Sequence, residues 1–168
     1  MLVAASTLSL GAQNVSKRAV DITKCEATPT AKANAETFQK WIDDVWHDGN
    51  LALVKDLVGP TYVRHEAKGT RTVTPAEYVD EIIAARKWLP DIRFIIHECT
   101  ATGARVWTRW TMVGTDPKTG IEVRRMGTQI YRLAGTRLVE TWMLVLPTDS
   151  AWPEVQDRRK TARAKNEQ

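Results

Sequence analysis

The apolar residues of this chain recur at two different spacings, and the change between them divides it. Phe38, Trp41, Ile42, Val45 and Trp46 fall at i, i+3, i+4, i+7 and i+8, the single stripe of an amphipathic helix. His47, Asp48 and Gly49 end it, and Asn50 can cap a second short helix, LALVKDLV, that Gly59 and Pro60 stop. Thr61 to His65, TYVRH, is β-rich and predicts a short strand. At 74–77 the run TPAE combines a capping Thr74, Pro75 at the first helical position and Glu77 placed to complete a capping box. The helix it starts carries Tyr78, Ile82, Ala85 and Leu89 on one face and closes at Pro90.

After Pro90 the spacing becomes two. In RVWTRWTMVGTD, 105–116, Val106, Thr108, Trp110 and Met112 share one face, and Arg105, Trp107, Arg109, Thr111 and Val113 share the other. DIRFIIHEC (91–99), IEVRRMGTQIYRL (121–133) and RLVETWMLVL (137–146) read as its neighbours in a four-stranded antiparallel sheet, with hairpin connections at DPKTG and AGT. Helices followed by a meander of strands is the α+β pattern. A curved antiparallel sheet wrapped by three N-terminal helices buries the apolar strand faces and the helical stripes together. Three modest helices cannot cover such a sheet completely, so a cone-shaped α+β barrel around a central pocket is expected, and that pocket is the default ligand site.

The domain is expected over 34–148, between a flexible extension (1–33) and a charged tail (149–168). The net charge of +4 does not change this picture once it is located. Four basic and two acidic side chains fall in 1–33, and five basic and three acidic in 153–168, so the segment between balances at 15 against 15. With no recognition-helix pattern beside the basic ends, nucleic-acid binding is not expected. Two cysteines and three histidines without CxxC or HxxxH spacing argue against a metal site. No apolar stretch is long enough to span a membrane. The opening MLVAASTLSLGAQ resembles a signal peptide but lacks preceding basic residues, so a cytoplasmic protein is the expectation, with export left open.

The runs FQKWIDDVWHDGNLALVKDLVGPTYVRHEA, LPDIRF, ARVWTRWTMVGT and GTQIYRLAGTRLVETW, spread over about 35–146, resemble the SnoaL-like polyketide cyclase group of the nuclear transport factor two-like superfamily. The resemblance implies a cone-shaped α+β barrel that dimerises through the outer face of its sheet. It also implies a cofactor-independent acid/base enzyme of secondary metabolism, a cyclase, isomerase or hydrolase. The substrate would be a small apolar oxygenated molecule of polyketide or terpenoid type. In the cyclases that name the group, an Asp on the strand ending in IYR is the acid/base, and here that place holds Gln129; their partner His follows the Gly-Thr of the central strand, where this chain has Asp116. A neutral amide cannot take a proton. The substitution therefore favours an alternative, a non-catalytic small-molecule-binding or accessory protein using the same cavity. The paired carboxylates bracketing an Arg that an epoxide hydrolase uses are not visible.

If the apolar face of 105–116 faces the pocket, period-two alternation adds Arg125, Gln129 and Tyr131, then Glu140 and Trp142. One bulge would invert a set. The catalytic candidates are His65, Glu140, Gln129 and Asp116. His65 leads because imidazole is the side chain whose ordinary pKa lies near neutrality. Glu140 would exchange protons with it or form an ion pair with Arg125, and Asp116 is equally a good first residue for a turn. Tyr62, Trp46, Trp110, Arg125, Tyr131 and Trp142 are the substrate-binding candidates, the rings as walls and Arg125 and Tyr131 to orient oxygens. The opposite face, with Arg93, Ile95, His97, Trp107, Arg109, Thr111, Met126, Thr128, Ile130, Val139, Thr141 and Met143, mixes isolated charges with large apolar groups. That composition suits a homodimer interface.

Overall fold

The computed structural model describes residues 28–154. Helix α1 (Pro29–Lys40) runs on without interruption as a π-helical segment (Trp41–His47), and a 3₁₀ turn (Leu51–Leu53) leads into the short α2 (Val54–Leu57). Strands β1 (Val58–Glu66) and β2 (Gly69–Val73) precede α3 (Pro75–Trp88). Strands β3 (Arg93–Thr102), β4 (Arg105–Thr115), β5 (Glu122–Ala134) and β6 (Arg137–Val145) follow. The sheet has six strands, in the order β2-β1-β6-β5-β4-β3. All neighbours are antiparallel except β1 and β6, which run parallel. The α+β architecture is as expected, but the sheet is mixed rather than antiparallel, because β1 enters from the helices and docks on the last strand.

The first helix begins at Pro29, inside the segment expected to be a flexible extension. Thr28 caps it by accepting from the Ala31 N–H at 3.2 Å. Its buried side, Ala31 and Ala35, is too small to register in a hydrophobic pattern, and Asn34 ties it to the β3–β4 turn by donating to the Gly103 carbonyl at 2.8 Å. The capping box of α3 forms as Thr74 and Glu77 predicted. At that helix's end Leu89, fully buried, packs with Ile92, Trp110 and Met112. The larger core gathers Phe38, Trp41, Ile42, Val45, Tyr62, Tyr78, Ile82 and Leu138 between helices and sheet.

Register shifts decide what the sheet presents. On β5 and β6 the register shifts between Arg132 and Leu133, so that Gln129 lies opposite Met143 and Tyr131 opposite Thr141. Thr141 and Met143, expected outside, therefore share the inner face, and Glu140, Trp142 and Leu144 are turned outward. On β3 the shift lies between Ile96 and Glu98. The segment after β6 then folds over part of the outer face: the Trp152 indole donates to the Trp110 carbonyl at 3.0 Å, and Arg109 lies 4.8 Å from the Trp152 ring centre and 3.0 Å from Glu154. Among the described residues no helix is long and apolar enough to cross a membrane.

Candidate functional site

A cavity of about 160 Å³ lies between the helices and the inner face of the sheet. Its apolar wall is Ile42 and Trp46 from the π-helical segment, Phe94, Trp110 and Met112 from β3 and β4, and Met143 and Val145 from β6. The rings meet edge to face, Trp46 against Phe94 and Phe94 against Trp110, each pair with centres 5.2 Å apart. Five polar side chains complete the lining: Arg64, Tyr78, Arg125, Gln129 and Tyr131. Of the expected site residues, then, Trp46, Trp110, Arg125, Gln129 and Tyr131 are brought together here.

Each polar group is held by its own element. Gln129, 6% exposed, donates from Nε2 to Thr141 Oγ1 at 2.9 Å, and Thr141 donates to the Ile130 carbonyl at 2.8 Å. Arg125 donates from Nε to the Leu146 carbonyl at 3.2 Å, and among the described residues it has no carboxylate partner. Burial pushes the Tyr78 phenol up and the Tyr131 phenol well up, so both remain protonated and can donate. Arg64 is the residue that the strand pattern of β1 should have pointed to. Tyr62 and Arg64 alternate onto the inner face, and Arg64 sits 4.7 Å above the Tyr78 ring centre. It is bonded to Glu81 at 2.6 Å and to Glu66 at 2.9 Å, and Arg71 bridges the same two carboxylates. Partial burial works against the Glu81 carboxylate, but the hydrogen bond from Arg71 and the charge of Arg64 hold its pKa below the ordinary range. Two donors of the lining have no acceptor among the described residues: Arg64 Nε and Trp110 Nε1, in side chains 6% and 4% exposed.

The structure corrects the other assignments. His65 and Glu140 do meet, His65 Nε2 lying 2.9 Å from Glu140 Oε1 and His65 Nδ1 2.9 Å from Thr70 Oγ1. They meet on the outer face, because His65 is one residue beyond the inward Arg64 and the β6 bulge turns Glu140 outward. Trp142 goes with them, stacked on His65 with ring centres 5.1 Å apart and planes 10° from parallel. The partner of Glu140 is Arg132 at 2.7 Å, not Arg125. Hydrogen bonds from His65 and Arg132 hold the Glu140 carboxyl below its usual range, so it is a carboxylate at neutral pH. Asp116 opens the β4–β5 turn: its carboxylate accepts from the Lys118 N–H at 2.8 Å and its carbonyl from the Gly120 N–H at 2.8 Å. It is a turn residue away from the cavity. Tyr62 is fully buried, its ring 5.4 Å from that of Tyr78, and belongs to the core rather than the wall.

Chemically the cavity is rich in donors. No carboxylate or imidazole is among its described lining residues, so nothing there is suited to abstract a proton, while amide, guanidinium, phenol and indole N–H and O–H groups can surround an oxygen. Among the described residues no group of three or more His, Cys, Asp or Glu could hold a metal ion.

The model of the SnoaL-like polyketide cyclase family matches residues 36–145. A provisionally named polyketide cyclase from Acidithiobacillus ferrooxidans is similar in structure with a TM-score of 0.62 and 23% identity, covering 67% of this chain and 87% of its own. A provisionally named SnoaL-like polyketide cyclase from Jannaschia gives 0.63 at 15% identity, covering 71% and 90%. A provisionally named hydroxylase from Streptomyces galilaeus gives 0.56 at 20%, covering 67% and 90%. At such identities the structural likeness establishes the fold. Comparison with curated proteins found no match.

Proposed function

The chain belongs to the SnoaL-like polyketide cyclase family, and from that premise we propose that it binds a small apolar oxygenated molecule of polyketide or terpenoid type inside the cone and acts on it by polarising an oxygen. The observation that carries this reading is the convergence of Gln129, Tyr131, Arg125 and Arg64 on a cavity otherwise walled by Trp46, Phe94 and Trp110. Donors preorganised where water is excluded stabilise charge developing on a substrate oxygen, and one such donor is worth about 3 kcal/mol in a transition state. A cyclisation or isomerisation whose carbonyl oxygen gains negative charge suits this lining, with the protonated Tyr131 phenol able to donate a hydrogen bond to that oxygen.

A non-catalytic binding protein is the second reading. It is favoured by the lack of a carboxylate or imidazole among the described lining residues and by Gln129 in place of the family's Asp. Turnover and binding of one ligand by variants separate the two. With Gln129→Leu, turnover should fall about a hundredfold and affinity about tenfold, whereas His65→Ala and Glu140→Gln should leave both within about twofold. Loss of turnover in His65→Ala with Gln129→Leu unaffected would move the chemistry to the outer face. A ligand bound tightly but unchanged after long incubation would leave the binding protein.

We further propose a homodimer through the outer sheet face. Support comes from the cross-strand row Trp107, Ile130, Trp142 and His65, in which Trp107 is 47% exposed, and from Leu144 beside it at 56%. Large apolar groups so exposed on one face of a sheet mark an interaction surface.

A further inference from the structure

The cavity also constrains the charge and size of what it holds. Among the described residues its polar lining donates far more hydrogen bonds than it accepts. Arg64 Nε and Trp110 Nε1 have no acceptor, the two phenols stay protonated, and Arg125 gives one bond to the Leu146 carbonyl. The charge of Arg64 is matched by Glu81 and Glu66, but among the described residues no carboxylate matches that of Arg125. A buried donor left unpaired costs about 1–3 kcal/mol, and the half-buried Arg125 lines the cavity with no described carboxylate to neutralise it. An occupant that brings acceptors and a negative charge answers both, whereas a neutral hydrocarbon answers neither. The volume sets the second limit. Typical ligand pockets measure about 300–1,000 Å³, whereas an apolar cavity of about 150 Å³ holds one benzene. At about 160 Å³ this cavity accommodates a single ring or a short chain, not a fused polycycle.

We infer that the cavity takes a small monoanion, a single-ring or short-chain molecule bearing a carboxylate or an enolate, with Arg125 as the charge partner and the Trp110 indole as an added donor. The inference rests on the reading that the cavity is the ligand site, and adds the charge and size of the ligand to it. Arg125 would act as a binding residue through a charge-assisted hydrogen bond, the stronger kind.

Isothermal titration of the full chain with benzoate, benzyl alcohol and 2-naphthoate tests it. Benzoate should bind at one site per chain, about tenfold or more tighter than benzyl alcohol, and 2-naphthoate at least about tenfold more weakly than benzoate. Arg125→Gln should abolish the preference for benzoate over benzyl alcohol while leaving benzyl alcohol unchanged. Trp110→Phe, which keeps an aromatic ring and removes the N–H, should weaken benzoate about threefold to tenfold. Both variants would be checked for a cooperative thermal transition, and either one suffices if the other fails to fold. Equal binding of benzoate and benzyl alcohol, or benzoate affinity unaffected by the variants, overturns the anion assignment while leaving the cavity as the ligand site. Equal binding of 2-naphthoate overturns the size limit. Binding of none of the three overturns the anion assignment, and the cavity reading falls with it if Gln129→Leu also leaves ligand turnover and affinity intact.

Discussion

Gly127 shows how closely single residues shape the cavity wall. The Trp110 ring lies across it, and a Cβ built on Gly127 would fall 2.6 Å from Trp110 Cζ2 and 2.8 Å from the Leu144 carbonyl oxygen. Neither neighbour can yield cheaply, one being a buried indole and the other backbone. Gly127→Ala should therefore destabilise the fold by about 1–3 kcal/mol, read as a lower urea midpoint with an unchanged slope. An unchanged midpoint would mean that Trp110 is free to move. At this scale the sequence is legible where alternation alone decides the face: Trp110, Gln129 and Tyr131 can be read from their strands. Arg64 escapes such a reading although the same rule applies to β1. Tyr62 and His65 stand three apart and cannot both point inward, and choosing Tyr62 as inward selects Arg64. The titrating side chain draws attention away from the charged one that the strand turns into the core.

Among the elements, the end of the first helix is fastened to β3 through His47. Its Nε2 accepts from the Phe94 N–H at 2.9 Å, which only an unprotonated nitrogen can do, and its Nδ1 lies 3.6 Å from Asp43. Burial, aided by the charge of Arg93, lowers the His47 pKa from 6.5 to about 4. The folded state thus binds this proton less readily than the unfolded chain does. The stabilisation is complete above pH 6.5 and is lost as the pH falls from 6.5 towards 4, by at most about 3 kcal/mol and less where solvent screens it. His47→Gln, whose side-chain oxygen can accept the same bond, should flatten unfolding free energy between about pH 6.5 and 5, a window above the acid loss of Glu81 and Glu140. A slope equal to that of the parent chain would show that His47 is not the titrating contact. Elements are legible where their signals are strong, as with the capping box of α3 and the strict alternation of β4. The first turns of α1 are not, since Ala31 and Ala35 bury little surface. Nor is the β6 bulge opposite Arg132 and Leu133, which no local residue type announces and which reassigns Glu140 and Trp142 to the outer face.

At the scale of the whole molecule the sheet has two distinct faces. The inner one encloses a donor-lined cavity, and the outer one carries an apolar row beside the His65–Glu140–Arg132 cluster. If the outer face joins two copies, sedimentation equilibrium should give twice the chain mass at micromolar concentration, and Leu144→Glu with Ile130→Asp should give a folded monomer. A parent chain that sediments as a monomer would contradict the interface. The α+β cone itself is legible in the sequence, because the order of helical and strand periods restricts the ways of burying both. Where β1 docks is not, since a short strand carries too little pattern to declare a parallel partner. Everything turns on which face binds the ligand, and a crystal structure with benzoate bound tests this most directly. The ring should lie against Trp46, Phe94 and Trp110, with the carboxylate within hydrogen-bond distance of Arg125. A benzoate seated instead on the outer face, beside His65 and Trp142, would contradict the inner cavity as the ligand site.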